Sequence, residues 1–138
     1  MASGSFHHVT SPVRLFAGAE SLGQLGRELD RVKSSRAALV CGNSMARNEE
    51  LVVRVRKAIG DRYAGMVVQA RAHSPIPAVQ AAADELKQLD ADAVIAIGGG
   101  SAIVTARAAS ILWAEGRPAQ ELCTVPDGKG GLTSPRLM

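Results

Sequence analysis

The sequence predicts an α/β fold, an open parallel sheet with helices on both faces, and two main observations carry this prediction. Short apolar runs alternate with segments of about a dozen residues in which apolar side chains recur at helical spacing. The core residues are aliphatic, because 46% of the chain is hydrophobic and only 3% is aromatic. Both features are typical of βαβ units, in which helices cover a parallel sheet.

Three apolar runs are predicted to be the core strands of this sheet. They are "AALVC" at Ala37–Cys41, "GMVVQA" at residues 65–70, and "AVIAI" at Ala93–Ile97. A further run near the start, "VRLFAG" at residues 13–18, is a candidate for a short additional strand.

Four helices are predicted between and after these runs, from apolar residues spaced three or four positions apart. The first covers residues 20–33, and the second ends at Gly60. The third follows the loop "HSPIP", whose prolines favour a helix start nearby. The fourth runs from Ala102 to about residue 114 and is closed by Gly116. The segment at residues 42–48 is predicted to be a loop.

Charge and composition exclude several classes of protein. The formal net charge is +3, from 16 Lys and Arg against 13 Asp and Glu, and the basic residues are scattered among the acidic ones. Because no basic stripe interleaved with aromatic residues occurs, nucleic-acid binding is not expected. No long apolar stretch indicates a signal peptide or a membrane span, so we expect a cytoplasmic protein that does not bind membranes.

Metal and redox sites are not predicted either. The two cysteines, Cys41 and Cys123, have no metal or redox spacing, and Cys41 ends an apolar run. We therefore expect Cys41 to be a reduced, buried thiol. The three histidines do not cluster with carboxylates, so this chain is not expected to bind a metal ion by itself.

A glycine-rich loop follows the third predicted strand and precedes the fourth predicted helix. Ligands of open parallel sheets bind beyond the carboxyl ends of the strands, and glycines let a ligand approach the backbone closely. The free N–H groups and the positive dipole end of the helix would face this loop, which makes it a candidate site for a diphosphate. Its residues are Gly98, Gly99, Gly100 and Ser101. The alternative is an ordinary tight turn in which Ser101 caps the helix.

A second candidate site lies at the end of the first predicted strand, in "VCGNSMAR". Dinucleotide sites often place a carboxylate near a strand end to bind a ribose diol, but none occurs here. Gly42 and Asn43 offer space and neutral polar groups, and Arg47 is a nearby cation, so a 2′-phosphate would be tolerated. The alternative is an ordinary polar loop.

The stretch "GGGSAIVTARAASIL" resembles the glycine-serine motif of the iron-containing (group III) alcohol dehydrogenases, GGGS-x-x-D-x-A-K. Three further segments resemble that family in the same order, namely "LFAGAESLGQLGREL", "RAALVCGNS" and "SPIPAVQAAADELKQLDADAVIAIGGGS". The resemblance covers about residues 14–114. The motif's Asp falls on Val104 and its Lys on Arg107, and loss of this Asp is a feature of the maleylacetate reductase-like branch.

The resemblance implies the Rossmann-like N-terminal domain of this family, which is similar to that of dehydroquinate synthase and binds NAD or NADP. It implies that Gly99, Gly100 and Ser101 hold the diphosphate and that Gly42 and Asn43 lie near the adenosine ribose. In such enzymes a second, helical domain supplies an Asp and three His that bind Fe²⁺ or Zn²⁺. The metal polarises the substrate while hydride passes to or from the nicotinamide.

These observations predict the organisation and the function together. We expect a flexible N-terminus over residues 1–12, a dinucleotide-binding α/β domain over residues 13–125 and an irregular tail over residues 126–138. We expect this chain to be truncated, without the helical metal-binding domain, and to be a piece of a homo-oligomeric oxidoreductase acting on an alcohol or a maleylacetate-type substrate. The alternative is a non-catalytic module that binds a nucleotide or another phosphorylated ligand.

Overall fold

The computed structural model describes residues 13–122, 125–126 and 132–133. Its central element is a three-stranded sheet of β1 (Ala37–Cys41), β2 (Tyr63–Val67) and β3 (Ala93–Ile97). The strands lie in the order β2-β1-β3, and β1 pairs in parallel with both neighbours. The predicted open parallel sheet is therefore confirmed.

Helices occupy the connections between the strands and the segments that flank them. Their bounds are α1 (Leu25–Arg31), α2 (Asn43–Ala46), α3 (Glu49–Ile59), α4 (Ile76–Gln88), α5 (Gly100–Glu115) and α6 (Ala119–Leu122). The side chain of Asn48 caps α3 by accepting a hydrogen bond from the Leu51 N–H. Pro75 precedes α4, as the loop sequence predicts, and Gly116 ends α5.

The two faces of the sheet are covered by different helices, and the alternation of side chains along β1 shows why. Ala37 and Leu39 point to one face, where they pack with residues of α1 and α3. Ala38 and Val40 point to the other face, where they pack with residues of α4 and α5. All five residues of β1 are buried, because a central parallel strand is covered on both sides.

The direction of the connections creates a crevice at the carboxyl end of the sheet. The chain leaves β1 towards α3 on one face and leaves β3 towards α5 on the opposite face. Neighbouring parallel strands whose connections diverge in this way form a switch point, where open α/β sheets bind their ligands. The crevice lies between the ends of β1 and β3.

Several predicted elements differ from the structure. Residues 13–17 form no strand, and the first predicted helix is a 3₁₀ turn at Ser21–Gln24 followed by α1. The segment at residues 42–48 contains the short helix α2 and is not a simple loop. Strand β2 begins two residues earlier than predicted and ends at Val67, because its ladder with β1 covers Tyr63 to Val67.

Two short strands are described in the C-terminal segment. They are β4 (Val125–Pro126) and β5 (Leu132–Thr133), and they pair antiparallel where the sequence predicts an irregular tail. The predicted N-terminal segment of residues 1–12 lies outside the described residues, and the predicted division into segments stays a prediction. Within the described part of the chain, no helix combines the length and the apolar character needed to cross a membrane.

Candidate functional site

The crevice between β1 and β3 contains a cleft of about 240 Å³. Its walls are residues 97–102 at the start of α5, residues 70–72 after β2, and Gly42, Ser44 and Met45 after β1. Pockets that enclose a drug-sized ligand have volumes of about 300–1,000 Å³. This cleft therefore has room for part of a dinucleotide, such as its diphosphate, and not for the whole molecule.

The backbone at Gly98 requires a glycine. Its φ angle is +136°, a region that residues with a side chain rarely adopt. A Cβ atom at this position would also lie 3.2 Å from the Cβ of Ala102. The first glycine of the loop thus turns the chain from β3 into α5.

The first turn of α5 presents free donors to the cleft. Its N-cap is Gly99, and no side chain caps the helix. Within the described residues, no protein acceptor pairs with the N–H groups of Gly100 and Ser101, as expected for the first turn of a helix. These groups and the positive end of the helix dipole favour an anion at this point.

The alternative in which Ser101 caps the helix is wrong. Ser101 lies inside the helix, because α5 begins at Gly100 and not at Ala102, and Gly99 is the N-cap. Gly99 has a different property, since a Cβ atom built on it would meet no heavy atom within 4 Å. A side chain at this position, which lines the cleft, would therefore have room without a clash with the fold.

The second predicted site is only partly in the cleft. Gly42 lines it, and a Cβ atom there would lie 3.2 Å from the carbonyl oxygen of Ala70, so a side chain at this position would require the two loops to move apart by a few tenths of an ångström. Asn43 is the first residue of α2, and its exposed side chain is not part of the cleft wall. The structure thus brings Gly42 together with Gly98, Gly99, Gly100 and Ser101, and leaves Asn43 beside them.

The loop after β2 contributes residues that the sequence analysis missed. Arg71 lines the cleft, and its Nη1 donates to the carbonyl oxygens of Val68 at 3.0 Å and Ala70 at 3.1 Å. Ser74 joins this loop to α5, since its hydroxyl donates to the carbonyl oxygen of Ser101 at 3.2 Å. An isolated Arg after a strand has no spacing that distinguishes it from a surface residue, so the sequence contains no signal for Arg71.

The buried thiol lies next to the cleft but is not part of its chemistry. Cys41 is 2% exposed and unpaired, which confirms the prediction of a reduced, buried cysteine. Burial raises its pKa, because the thiolate is less well solvated inside the protein. Since the thiolate is the nucleophile, Cys41 is not activated for nucleophilic attack.

The residues that the structure describes contain no group of three or more His, Cys, Asp or Glu side chains placed to bind a metal ion. A larger groove of about 620 Å³ lies between residues 14–28 and β3, with mainly apolar walls. Its cation, Arg14, is paired with Glu28, with 3.1 Å between Arg14 Nε and Glu28 Oε1.

The fold and the cleft define the chain as a Rossmann-like α/β domain with a glycine-rich loop at the switch point of its sheet. The profile of the iron-containing alcohol dehydrogenases matches residues 12–135. The chain therefore belongs to the iron-containing alcohol dehydrogenase family.

Relatives within this family are maleylacetate reductases. The chain is 35% identical over 100 residues to maleylacetate reductase from Sphingobium indicum and to maleylacetate reductase 2 from Cupriavidus pinatubonensis, covering 72% of this chain and 27% of each relative. The crystal structure of maleylacetate reductase from a Rhizobium species is 25% identical, with a TM-score of 0.66, over 78% of this chain and 30% of that one. The resemblance seen in the sequence is confirmed, and the chain spans less than a third of the length of these proteins.

Proposed function

We propose that this chain is the nucleotide-binding portion of a metal-dependent, NAD(P)-linked oxidoreductase. The reaction would transfer hydride between an alcohol or a maleylacetate-type substrate and nicotinamide, since the relatives named above are maleylacetate reductases. The observation that carries the proposal is the cleft at the start of α5, where a turn without side chains exposes free amide groups.

The residues of the cleft fit a dinucleotide diphosphate. No carboxylate lines the cleft among the described residues, so no like charge repels the phosphates. The proposed ligands are the glycine-serine loop, with Gly42 and Asn43 near the adenosine ribose. The absence of an acidic residue between Cys41 and Arg47 makes the site compatible with the 2′-phosphate of NADP as well as with NAD.

The metal belongs to a different part of the proposed enzyme. A bound Fe²⁺ or Zn²⁺ would polarise the carbonyl or the alkoxide of the substrate. The described residues offer no set of ligands for it, so no step of the reaction is assigned to a metal held by this chain. A homo-oligomeric state and a cytoplasmic location stay predictions from the sequence.

The test is the substitution Gly99→Val in the 138-residue chain, with NADH and NADPH binding measured by fluorescence titration. Since a Cβ atom at Gly99 meets no protein atom, the chain should still fold, while the valine occupies the space of the diphosphate. We expect affinity to fall at least about 10-fold, which corresponds to about 1.4 kcal/mol.

A matched control is Gly23→Val. Gly23 is also exposed, and a Cβ atom there also meets nothing within 4 Å, but it lies in the 3₁₀ turn before α1 and not in the cleft. Unchanged affinity in Gly99→Val would show that the diphosphate binds elsewhere. Absence of dinucleotide binding by the unsubstituted chain would overturn the proposed function itself.

A further inference from the structure

Among the described residues that line the cleft, Arg71 is the one with a charged side chain. It lies in the loop between β2 and α4, outside the glycine-serine motif that indicates the site. The amide groups of α5 are neutral, and the end of a helix dipole is equivalent to only about half a unit charge. A dinucleotide diphosphate carries two negative charges, so a full positive charge in the cleft would add an attraction that the motif alone does not supply.

The guanidinium group is fixed in place by the backbone of its own loop. Both of its hydrogen bonds, to the carbonyl oxygens of Val68 and Ala70, come from Nη1. Because a guanidinium has five N–H donors, Nη2 and Nε keep donors for a ligand. Within the described residues, no carboxylate forms an ion pair with Arg71.

The loop that carries Arg71 is attached to both other walls of the cleft. The N–H of Ala70 donates to the carbonyl oxygen of Cys41 at 3.1 Å, which joins the loop to the end of β1. The hydroxyl of Ser74 donates to the carbonyl oxygen of Ser101 at 3.2 Å, which joins the loop to the first turn of α5. The buried hydroxyl of Thr105 in turn donates to the Ser74 hydroxyl at 3.1 Å.

The backbone of this loop is strained at two consecutive residues. His73 has a φ angle of +61° and Ser74 a φ angle of +42°, in the left-handed region that non-glycine residues seldom occupy. Such conformations persist where surrounding contacts impose them, and they concentrate at binding sites. Ser74, the second of these residues, is held by its hydrogen bonds to Ser101 and Thr105 of α5.

From these contacts we propose that Arg71 is a ligand-binding residue of the cleft. Its guanidinium binds the diphosphate of the dinucleotide, while the amide groups of Gly100 and Ser101 bind the same group from the start of α5. This inference rests on the proposed function. The planar fork of an arginine matches the oxygen atoms of a phosphate group, and a charge-assisted pair of this kind is stronger than a neutral hydrogen bond.

The diphosphate is favoured over the 2′-phosphate of NADP by the position of Arg71. Arg71 shares the cleft with the glycine-serine loop, where the diphosphate is proposed to bind. The cation that the sequence places near the ribose, Arg47, ends α2 and does not line this cleft. A contact with the diphosphate should increase the affinity for NADH and NADPH equally, whereas a contact with the 2′-phosphate should increase the affinity for NADPH alone.

The experiment compares Arg71→Ala, Arg71→Gln and Arg71→Lys in the 138-residue chain, with NADH, NADPH, ADP-ribose and adenosine as probes. We expect Arg71→Ala and Arg71→Gln to lose about 10- to 100-fold in affinity for the three diphosphate probes. Arg71→Lys, which keeps the charge without the fork, should lose less. Adenosine binding should not change, and the salt dependence of NADH binding should weaken in Arg71→Ala.

The control is Arg54→Ala, which removes the same charge from an exposed position of α3 outside the cleft. Circular dichroism shows whether each variant is folded, and Arg71→Gln keeps a long polar side chain should Arg71→Ala fail to fold. Unchanged affinity in folded Arg71→Gln, or a loss confined to NADPH, would overturn the assignment of Arg71 while the proposed function stands. If the unsubstituted chain binds none of the diphosphate probes, the proposed function fails and this inference with it.

Discussion

Hydrogen-bond donors converge at both ends of the strand pair β1 and β3, but among the described residues they are paired with a carboxylate at one end and unpaired at the other. At the amino end, Asp92 lies just before β3 and faces residues 34–36 just before β1. Its Oδ1 accepts from the Ser34 hydroxyl at 2.6 Å and the Arg36 N–H at 2.9 Å, and its Oδ2 accepts from the N–H and the hydroxyl of Ser35, both at 2.7 Å. At the carboxyl end, the N–H groups of Gly100 and Ser101 have no acceptor within the described part of the protein.

The paired donors at the amino end form a structural contact, whereas the unpaired donors at the carboxyl end form a candidate binding site. At the amino end a carboxylate of the chain itself fills the place of the anion and joins the starts of two strands. The hydrogen bond from the Ser34 hydroxyl, followed by the one from the Ser35 N–H, holds the pKa of Asp92 well below its usual range. At the carboxyl end the corresponding place is open, and we propose that the first turn of α5 binds an anion from solution there.

The largest effect is expected when the open end is given a carboxylate of its own. In Gly99→Asp the new side chain would cap α5, accept from its free N–H groups and repel a phosphate. We expect affinity for NADPH to fall at least about 100-fold, or about 2.7 kcal/mol, with stability unchanged or slightly increased. Titration and thermal unfolding of the same samples measure both quantities.

Gly99→Asn is the matched control for this substitution, because asparagine has the same size and is an equally good N-cap without the charge. It should bind NADPH more tightly than Gly99→Asp does. Equal affinities in the two variants would mean that steric blocking, and not charge, closes the cleft.

A smaller effect is expected when the carboxylate at the amino end is neutralised. Asp92→Asn places an amide group against converging donors, so we expect a loss of about 1–2 kcal/mol in the free energy of unfolding at pH 7. The pKa of Asp92 is lowered in the folded state. Its charged form therefore stabilises the fold at pH values above the pKa of an Asp in the unfolded chain, about 3.9. This contribution is present at neutral pH and is lost as the pH falls below about 4.

Urea unfolding at pH 7, 5 and 3 measures this dependence. The difference in free energy of unfolding between the unsubstituted chain and Asp92→Asn should be constant from pH 7 to 5 and decrease towards pH 3. Asp61→Asn, an exposed carboxylate in the turn after α3, serves as the control. A difference that does not vary over this range would show that the charge of Asp92 is not what joins the two strands.

The smallest effect concerns the contact that connects the Arg71 loop to α5. Thr105 is fully buried, and Thr105→Val keeps its shape while removing the hydrogen bond to Ser74. We expect a loss of about 1 kcal/mol in stability and a few-fold loss in NADPH affinity, because the loop is less well held. Thr105→Ser, which keeps the hydroxyl, should retain the affinity; an equal loss in both variants would assign the effect to packing.

Much of the fold follows from the sequence, and the differences have local causes. Strands β1 and β3 have the predicted limits, because each is an apolar run long enough to cross the core. The end of β2 was predicted at residue 70 because its apolar run continues, but the ladder with β1 ends at Val67. Helix α5 begins two residues earlier than predicted, at Gly100, because Gly99 is its N-cap.

The candidate site was also predicted only in part from the sequence. The loop Gly98–Ser101 and Gly42 were predicted to lie at strand ends, and the parallel order β2-β1-β3 brings them into one cleft. The position of Arg71 beside the glycine-serine loop and the contact of Ser74 with α5 could not be predicted, because both depend on how distant segments of the chain are brought together. The hydrogen bond from Ser74 to Ser101 joins positions 27 residues apart.

The sequence by itself determined the alternation of strands and helices, the aliphatic core and the glycine turn before α5. Each of these depends on local periodicity or on the conformational range of a single residue. The tertiary structure decided which donors are paired and which stay open. Asp92 meets its partners, and the loop of Arg71 meets the start of α5, only after the sheet has aligned segments that are distant in the chain.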